Sequence, residues 1–141
     1  MHRLTFVLAL CVVSCASVPL QQASAPPDWS AVSDEETIEV VTRDPDGDVR
    51  ETTIWLVVVD GVGTIRTGNT RWFANLQRDP NLKLRVAGAE YPMRIEMITD
   101  PEQRARVAEA FRAKYGIQDR TVLLFRGAGL NEMRLLPPGP R

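Results

Sequence analysis

The sequence predicts an α+β protein: a small six-stranded antiparallel β-barrel with one long amphipathic helix packed against it. Three observations point there. Several short segments alternate apolar and polar side chains with the period of a half-exposed strand. They come in the order β-β-β-α-β-β-α-β. A single sheet of that many short strands would leave two edges open, and closure into a barrel removes them.

The elements follow in order. Ile38, Val40 and Thr42 alternate with Glu39, Val41 and Arg43, giving the first strand. Asp44-Pro45-Asp46-Gly47-Asp48 is a turn, because proline presets φ and glycine admits positive φ. A calcium loop is the competing reading of its three aspartates, but Gly47 falls too early for that spacing. Val49–Asp60 is the second strand. It is apolar on both faces from Ile54 to Val59, so it is expected at the centre of the sheet. Asp60-Gly61 and Gly63 turn into Thr64–Thr67, which completes a meander.

Thr70–Arg78 reads as a short helix capped by Asn69 or Thr70 and stopped by Asp79-Pro80. Leu82–Val86 and Met93–Met97 are the next strands, with Met93 and Met97 expected on the buried face as packing. Asp100-Pro101-Glu102-Gln103 opens the long helix, with Asp as cap and Gln at the capping-box position. Val107, Phe111 and Tyr115 form its apolar stripe and Gly116 ends it. Asp119–Phe125 is ambiguous between strand and helix. Leu130–Leu136 contains the last strand, and Pro137-Pro138 closes the domain.

Ahead of this domain stands an address. Met1–Arg3 is a short positive start, and Leu4–Val13 is an apolar run broken only by Thr5. It is too short to span a bilayer, which needs about 20 residues, and it fits a signal peptide. Val12-Val13-Ser14-Cys15 resembles a bacterial lipobox, with Cys15 the residue that is lipidated. A plain secretory signal cut after Ala16 or Ala23 is the alternative. Residues 1–14 are therefore expected as the signal, 15–35 as lipidated cysteine and tether, and 36–138 as the barrel. Trp29 stands out in the tether, with two expected places: docked on the domain or near the lipid. No Asp follows the cysteine in the second position. The expected location is thus the outer membrane of the bacterial envelope, facing the periplasm.

Composition removes several function classes. Charge is balanced, with 17 basic and 18 acidic residues, which gives no whole-chain case for nucleic acid. His2 is the lone histidine, and both cysteines lie in the first fifteen residues. A histidine-dependent triad and a Cys/His metal site are excluded from the domain, and no metal ligands are expected. The balance hides an asymmetry: residues 28–60 hold ten acidic and two basic side chains, and residues 61–141 eight acidic and fourteen basic. Either the halves pair across the barrel, or the Arg-rich half holds one anionic-ligand site. Arg66-Thr67-Gly68-Asn69-Thr70-Arg71 is where such a site would form. There a strand ends in a cation and hydroxyls, and a helix N-terminus begins.

The same segment carries a family resemblance. Trp72-Phe73-x-Asn75-Leu76-x-x-Asp79-Pro80-Asn81, after a strand ending Arg66-Thr67, resembles the Trp-Tyr-x-Asn-Leu-x-x-Asn-Pro element of the split β-barrel proteins. These include the pyridoxamine-phosphate-oxidase-like flavoproteins and the deazaflavin-dependent nitroreductases. The likeness runs from about Val40 to Pro137 and takes in Asp60-Gly61, the Asp-Pro-Glu helix opening and Lys114-Tyr115-Gly116. It implies a six-stranded antiparallel split β-barrel and a homodimer, with flavin mononucleotide or a deazaflavin bound between barrels. By position, Arg66 and Thr67 would contact phosphate, Arg71 would assist, and Trp72 with Asn75 would shape the cleft. Where nitroreductase-like members carry a Gly-Arg-x-Ser-Gly-type loop, this chain has the acidic turn, with Arg50 the nearby cation.

Two functions stay open. One is a flavin-type oxidoreductase acting on quinone or nitro-type substrates, with the cofactor supplying the chemistry. The other is a non-catalytic split-barrel protein, with no cofactor, that binds a small ligand or an envelope partner. Catalytic residues are not identified by either.

Overall fold

The computed structural model describes residues 19–126 and 129–139. The expected signal and Cys15 lie outside the described residues. The architecture is α+β, with one curled antiparallel sheet as a half-barrel, a short helix and a long one. The strands are β1 (Gln21–Gln22), β2 (Thr37–Arg43), β3 (Val49–Trp55), β4 (Val57–Val59), β5 (Val62–Thr67), β6 (Asn81–Val86), β7 (Ala89–Met97) and β8 (Asn131–Leu136). The helices are α1 (Arg71–Arg78), between β5 and β6, and α2 (Pro101–Arg126), between β7 and β8.

Along the sheet the strand order is β3-β2-β6-β7-β8-β5-β4, and β1 pairs in parallel with β7. The register of the first hairpin runs from Arg43↔Val49 to Thr37↔Trp55, closed by the acidic turn with Gly47 at φ +92°. β3 and β4 are consecutive in the chain yet lie at opposite ends of the strand path. Only Leu56 separates them, so the sheet must curl to bring its two ends together.

This corrects one expectation. Residues 49–60 are not a central buried strand but two edge strands meeting at Leu56. The physical reason is a side chain from far along the chain. The Leu56 N–H donates to the Tyr115 hydroxyl at 3.0 Å, and its carbonyl accepts from Lys114 Nζ at 3.0 Å. Backbone groups bonded to side chains are lost to the ladder, and pairing switches partner there. The division adds a strand to the expected six, and β1 adds another.

The curl encloses the main core: Ile38, Val40, Leu56, Ile65, Leu84, Met93, Met133 and Leu135, closed at one end by Trp72, Phe73 and Leu76 of α1. Each fully buried large side chain there contributes about 1.5–3 kcal/mol. A second cluster sits between α2 and β4 and consists of Val57, Ile98, Val107, Phe111 and Tyr115. The expected stripe of α2 is therefore buried. Asp100 caps that helix by accepting the Gln103 N–H at 2.8 Å. Of the two strand methionines, Met93 is buried, but Met97 lies 41% exposed. It falls at the end of β7, where the alternation no longer meets the core.

The helix that opens at Pro101 ends at Gly116 as expected, and a second helical stretch follows it directly within α2. Gly116 has φ 53° and ψ −117°, and helix resumes beyond it to Arg126. The ambiguous segment is thus helical.

Residues 19–35 lie on the domain. Gln22 Nε2 donates to Glu90 Oε1 at 2.9 Å, and Val32 is buried. Trp29 packs on the main core with its ring over Gly63, where a Cβ would come within 2.3 Å of the indole. Glycine is required there by close approach.

Candidate functional site

The end of β5 leads into the site. Arg66 and Thr67 stand opposite Glu132 and Asn131 of β8. Gly68-Asn69 bends the chain, and Thr70 caps α1 by accepting the Phe73 N–H on its Oγ1 at 3.4 Å. Thr67 Oγ1 lies 3.2 Å from Thr70 Oγ1, so the two hydroxyls form a pair at the helix entrance. Beside them opens a groove of about 360 Å³, bounded by Thr52, Trp55, Arg66, Thr67, Thr70, Trp72 and Phe111, with Val122 over it. That is the size range of small-molecule sites, with apolar walls and a few polar groups.

Arg66 is the charge in this groove. Its side chain is only 5% exposed, and its guanidinium carbon sits 3.9 Å above the centre of the Phe111 ring. It forms an ion pair with Asp119 from the far half of α2. Burial pulls the Arg66 pKa below its ordinary value, while the nearby Glu132 acts the other way. Glu132 is itself buried, which raises its pKa, and Arg104 Nε holds it at 3.1 Å. Behind the groove, the Trp55 ring stacks on Tyr115 with centroids 4.4 Å apart. Burial pushes the Tyr115 hydroxyl up to about 12. That hydroxyl has the carbonyls of Glu36 and Leu56 at 2.6 and 2.7 Å. Tyr115 is core, as its spacing implied, and its proton is committed to the backbone.

A second hollow, of about 540 Å³, lies at the other end of α1, lined by the acidic turn, Asn75, Arg78, Lys83 and Arg85. Here Asp44 and Arg85 have charged partners in the chain, whereas among the described residues Arg43 and Arg78 donate only to the carbonyls of Gly47 and Arg43. Asp44 accepts from Arg50 Nε at 2.9 Å and Nη2 at 2.5 Å, and from Asn75 Nδ2 at 2.7 Å. Those bonds hold its carboxyl well below the usual range, with Arg71 adding a weaker pull. Arg85 bonds Glu90, Glu39 and Glu51. Together with the Arg106–Asp60 pair, this joins the acidic and Arg-rich halves of the chain across the fold.

The five residues singled out in the sequence therefore divide. Arg66, Thr67 and Trp72 line the groove. Asn75 faces the second hollow, where it also donates to Thr42 Oγ1 at 3.1 Å. Arg71 is exposed and lines neither hollow. The acidic turn does not line the Arg66 groove. Sequence reasoning missed Phe111 and Trp55 as groove residues and Asp119 as the partner of Arg66. Phe111 and Trp55 carried only core signals, and Asp119 sat in the segment of ambiguous structure. Among the described residues, no group of three or more His, Cys, Asp or Glu is placed to hold a metal ion.

Comparison with known proteins places these features. Residues 28–126 match the family described as "Uncharacterized protein conserved in bacteria (DUF2255)". No curated protein matches the sequence. Among solved structures, the conserved hypothetical protein Rv2991 of Mycobacterium tuberculosis aligns with a TM-score of 0.63 at 20% identity, over 84% of this chain and 86% of that one. The heme storage protein HutZ of Vibrio cholerae aligns at 0.62 and 14% identity, over 79% and 88%. A FAD-binding protein of Mesorhizobium loti aligns at 0.56 and 10% identity, over 78% and 84%. At these identities the likeness is one of fold, and that fold is the split barrel.

Proposed function

We propose, for a chain that belongs to the DUF2255 family, that the Arg66 groove binds a planar aromatic cofactor bearing an anionic group, of the flavin type. One observation carries the reading: a buried cation, Arg66, stands beside paired threonine hydroxyls in a groove walled by Trp55, Trp72 and Phe111. In this reading Arg66 neutralises the phosphate, one hydroxyl of the Thr67–Thr70 pair donates to it, and the aromatic side chains shield the ring from water. A bound flavin would supply electron transfer, and the protein would orient it. Heme is the other ligand named among the structural neighbours. Histidine and cysteine, common axial ligands of its iron, are absent from residues 19–139, and this favours the flavin.

Flavin mononucleotide titrated into the purified protein tests the proposal. The expected results are a shift of the flavin absorbance bands and a raised melting temperature, both lost in Arg66→Ala. No shift and no stabilisation at high flavin concentration would sink the reading for that cofactor. Equal affinity in Arg66→Ala would show that the phosphate is held elsewhere.

A specific observation keeps a second, non-catalytic reading alongside: Arg66 already has an anion, Asp119. In that reading the groove takes a ligand or envelope partner without redox chemistry. Protein that shows no flavin-band shift, yet binds another small anionic ligand in a manner lost in Arg66→Ala, would favour it.

Location and assembly complete the proposal. The lipobox supports an envelope lipoprotein anchored through Cys15, and palmitate labelling that survives Cys15→Ser would refute this. The resemblance supports a homodimer. Sedimentation at micromolar concentration checks it.

A further inference from the structure

Resting on the cofactor reading above, we propose that the segment Ile117–Leu124 is a gate over the groove, with Asp119 occupying on Arg66 the place of the ligand's anionic group. The gate would select ligands that carry such a group.

The burial pattern of α2 is the first support. Before Gly116, the helix is held by Val107, Phe111 and Tyr115 in the second core. It is held again by Lys114 Nζ, which donates to the carbonyls of Ser33, Glu35 and Leu56. Beyond Gly116, across residues 117–124, Asp119 alone is buried. The one fully buried contact of this half is a carboxylate on a cation, with Val122 and Leu123 half-buried beside it.

The pair itself is the second support. The Arg66 and Asp119 side chains are 5% and 2% exposed. A cation so buried needs an anion whenever the groove is empty, because an unpaired buried charge is strongly disfavoured. Glu132 is not free for this, since Arg104 Nε and Nη2 tie β8 down at Glu132 and at the Leu130 carbonyl. Asp119 fills the role, and a phosphate or carboxylate from a ligand could replace it on the same guanidinium.

The hinge is the third. Gly116 has φ 53° and ψ −117°, yet a Cβ added there would meet nothing within 4 Å. Space does not demand glycine, whereas the backbone conformation does. A joint of this kind lets the second half move while the first stays packed.

Hydrogen exchange of the purified protein, read separately for residues 101–115 and 117–124, tests the gate. In the wild type, flavin mononucleotide should speed exchange in 117–124 and leave 101–115 unchanged, and riboflavin, which lacks the phosphate, should change neither segment. Slower exchange of 117–124 with the mononucleotide would overturn the proposal, because the ligand would then sit beneath a closed segment. Asp119→Asn should open 117–124 without ligand and raise mononucleotide affinity about tenfold, as expected when a minor open state becomes dominant. Unchanged exchange of 117–124 in that variant would also overturn the gate. Absence of mononucleotide binding to both forms would instead refute the cofactor reading. The ligand-free comparison of the two forms tests the latch independently of it.

Discussion

The two hollows at the ends of α1 differ in how their charges are satisfied. At the C-terminal end, Asp44 is bonded to Arg50 and Asn75, and Arg85 to Glu90. At the N-terminal end, Arg66 leans on the Phe111 ring and on one carboxylate from a helix half with little else holding it. The larger hollow thus holds carboxylates that each have several donors, and the smaller groove holds a buried cation with the Asp119 carboxylate as its ion-pair partner. A ligand gains most where it replaces a weakly anchored internal partner, and least where it must break a satisfied network.

Removing the groove's floor should have the largest effect. Phe111→Ala deletes a fully buried ring that both fills the second core and underlies Arg66. Denaturant unfolding should show a loss of about 3–5 kcal/mol, together with loss of flavin binding.

Asn75→Ala attacks the other hollow. The Thr42 hydroxyl and the acidic turn lose a shared donor, and the expected loss is about 1–3 kcal/mol. Flavin affinity should stay at the wild-type value. A drop comparable to that of Arg66→Ala would erase the distinction between the hollows.

Acid should weaken the satisfied side first. Hydrogen bonds from Lys83, then Arg85 and Gln22, hold the Glu90 carboxyl at about 2, against a usual 4.5. Its contribution to stability is complete above about 4.5 and is lost as the pH falls towards about 2. Melting temperatures across that window should fall in the wild type, and that part of the fall should be absent in Glu90→Gln. Glu132, whose pKa is raised by burial, works in the opposite sense, favouring the fold less as the pH rises through its titration.

The smallest effect is expected at the tip of the acidic turn. Gly47 has φ +92° with open space around it. Gly47→Ala should therefore cost about 1 kcal/mol through backbone strain alone, with flavin binding intact. A change in binding would couple the turn to the groove.

How far the sequence reached depended on how local each signal was. The Thr70 cap, the Asp100-Pro101 helix start and the Gly47 turn are written in neighbouring residues, and all three form. The break at Leu56 was not legible, because its cause is the Tyr115 hydroxyl, 59 residues away. Nor was Asp119 as the partner of Arg66, since the pairing exists only once α2 folds back over β5. Trp72 and Asn75 are three residues apart on one short helix, and spacing could not tell that they serve opposite ends of it. Trp29 was ambiguous for the same reason: Gly63 receives its ring only after β4 and β5 have paired.

The central claim is that the ligand seat is the Arg66 groove and not the larger hollow. A crystal structure with flavin mononucleotide tests it most directly. The account predicts phosphate on the Arg66 guanidinium, with the ring system between the aromatic walls and Asp119 displaced. Flavin density among Asn75, Arg78 and Lys83, with the Arg66–Asp119 pair intact, would contradict it.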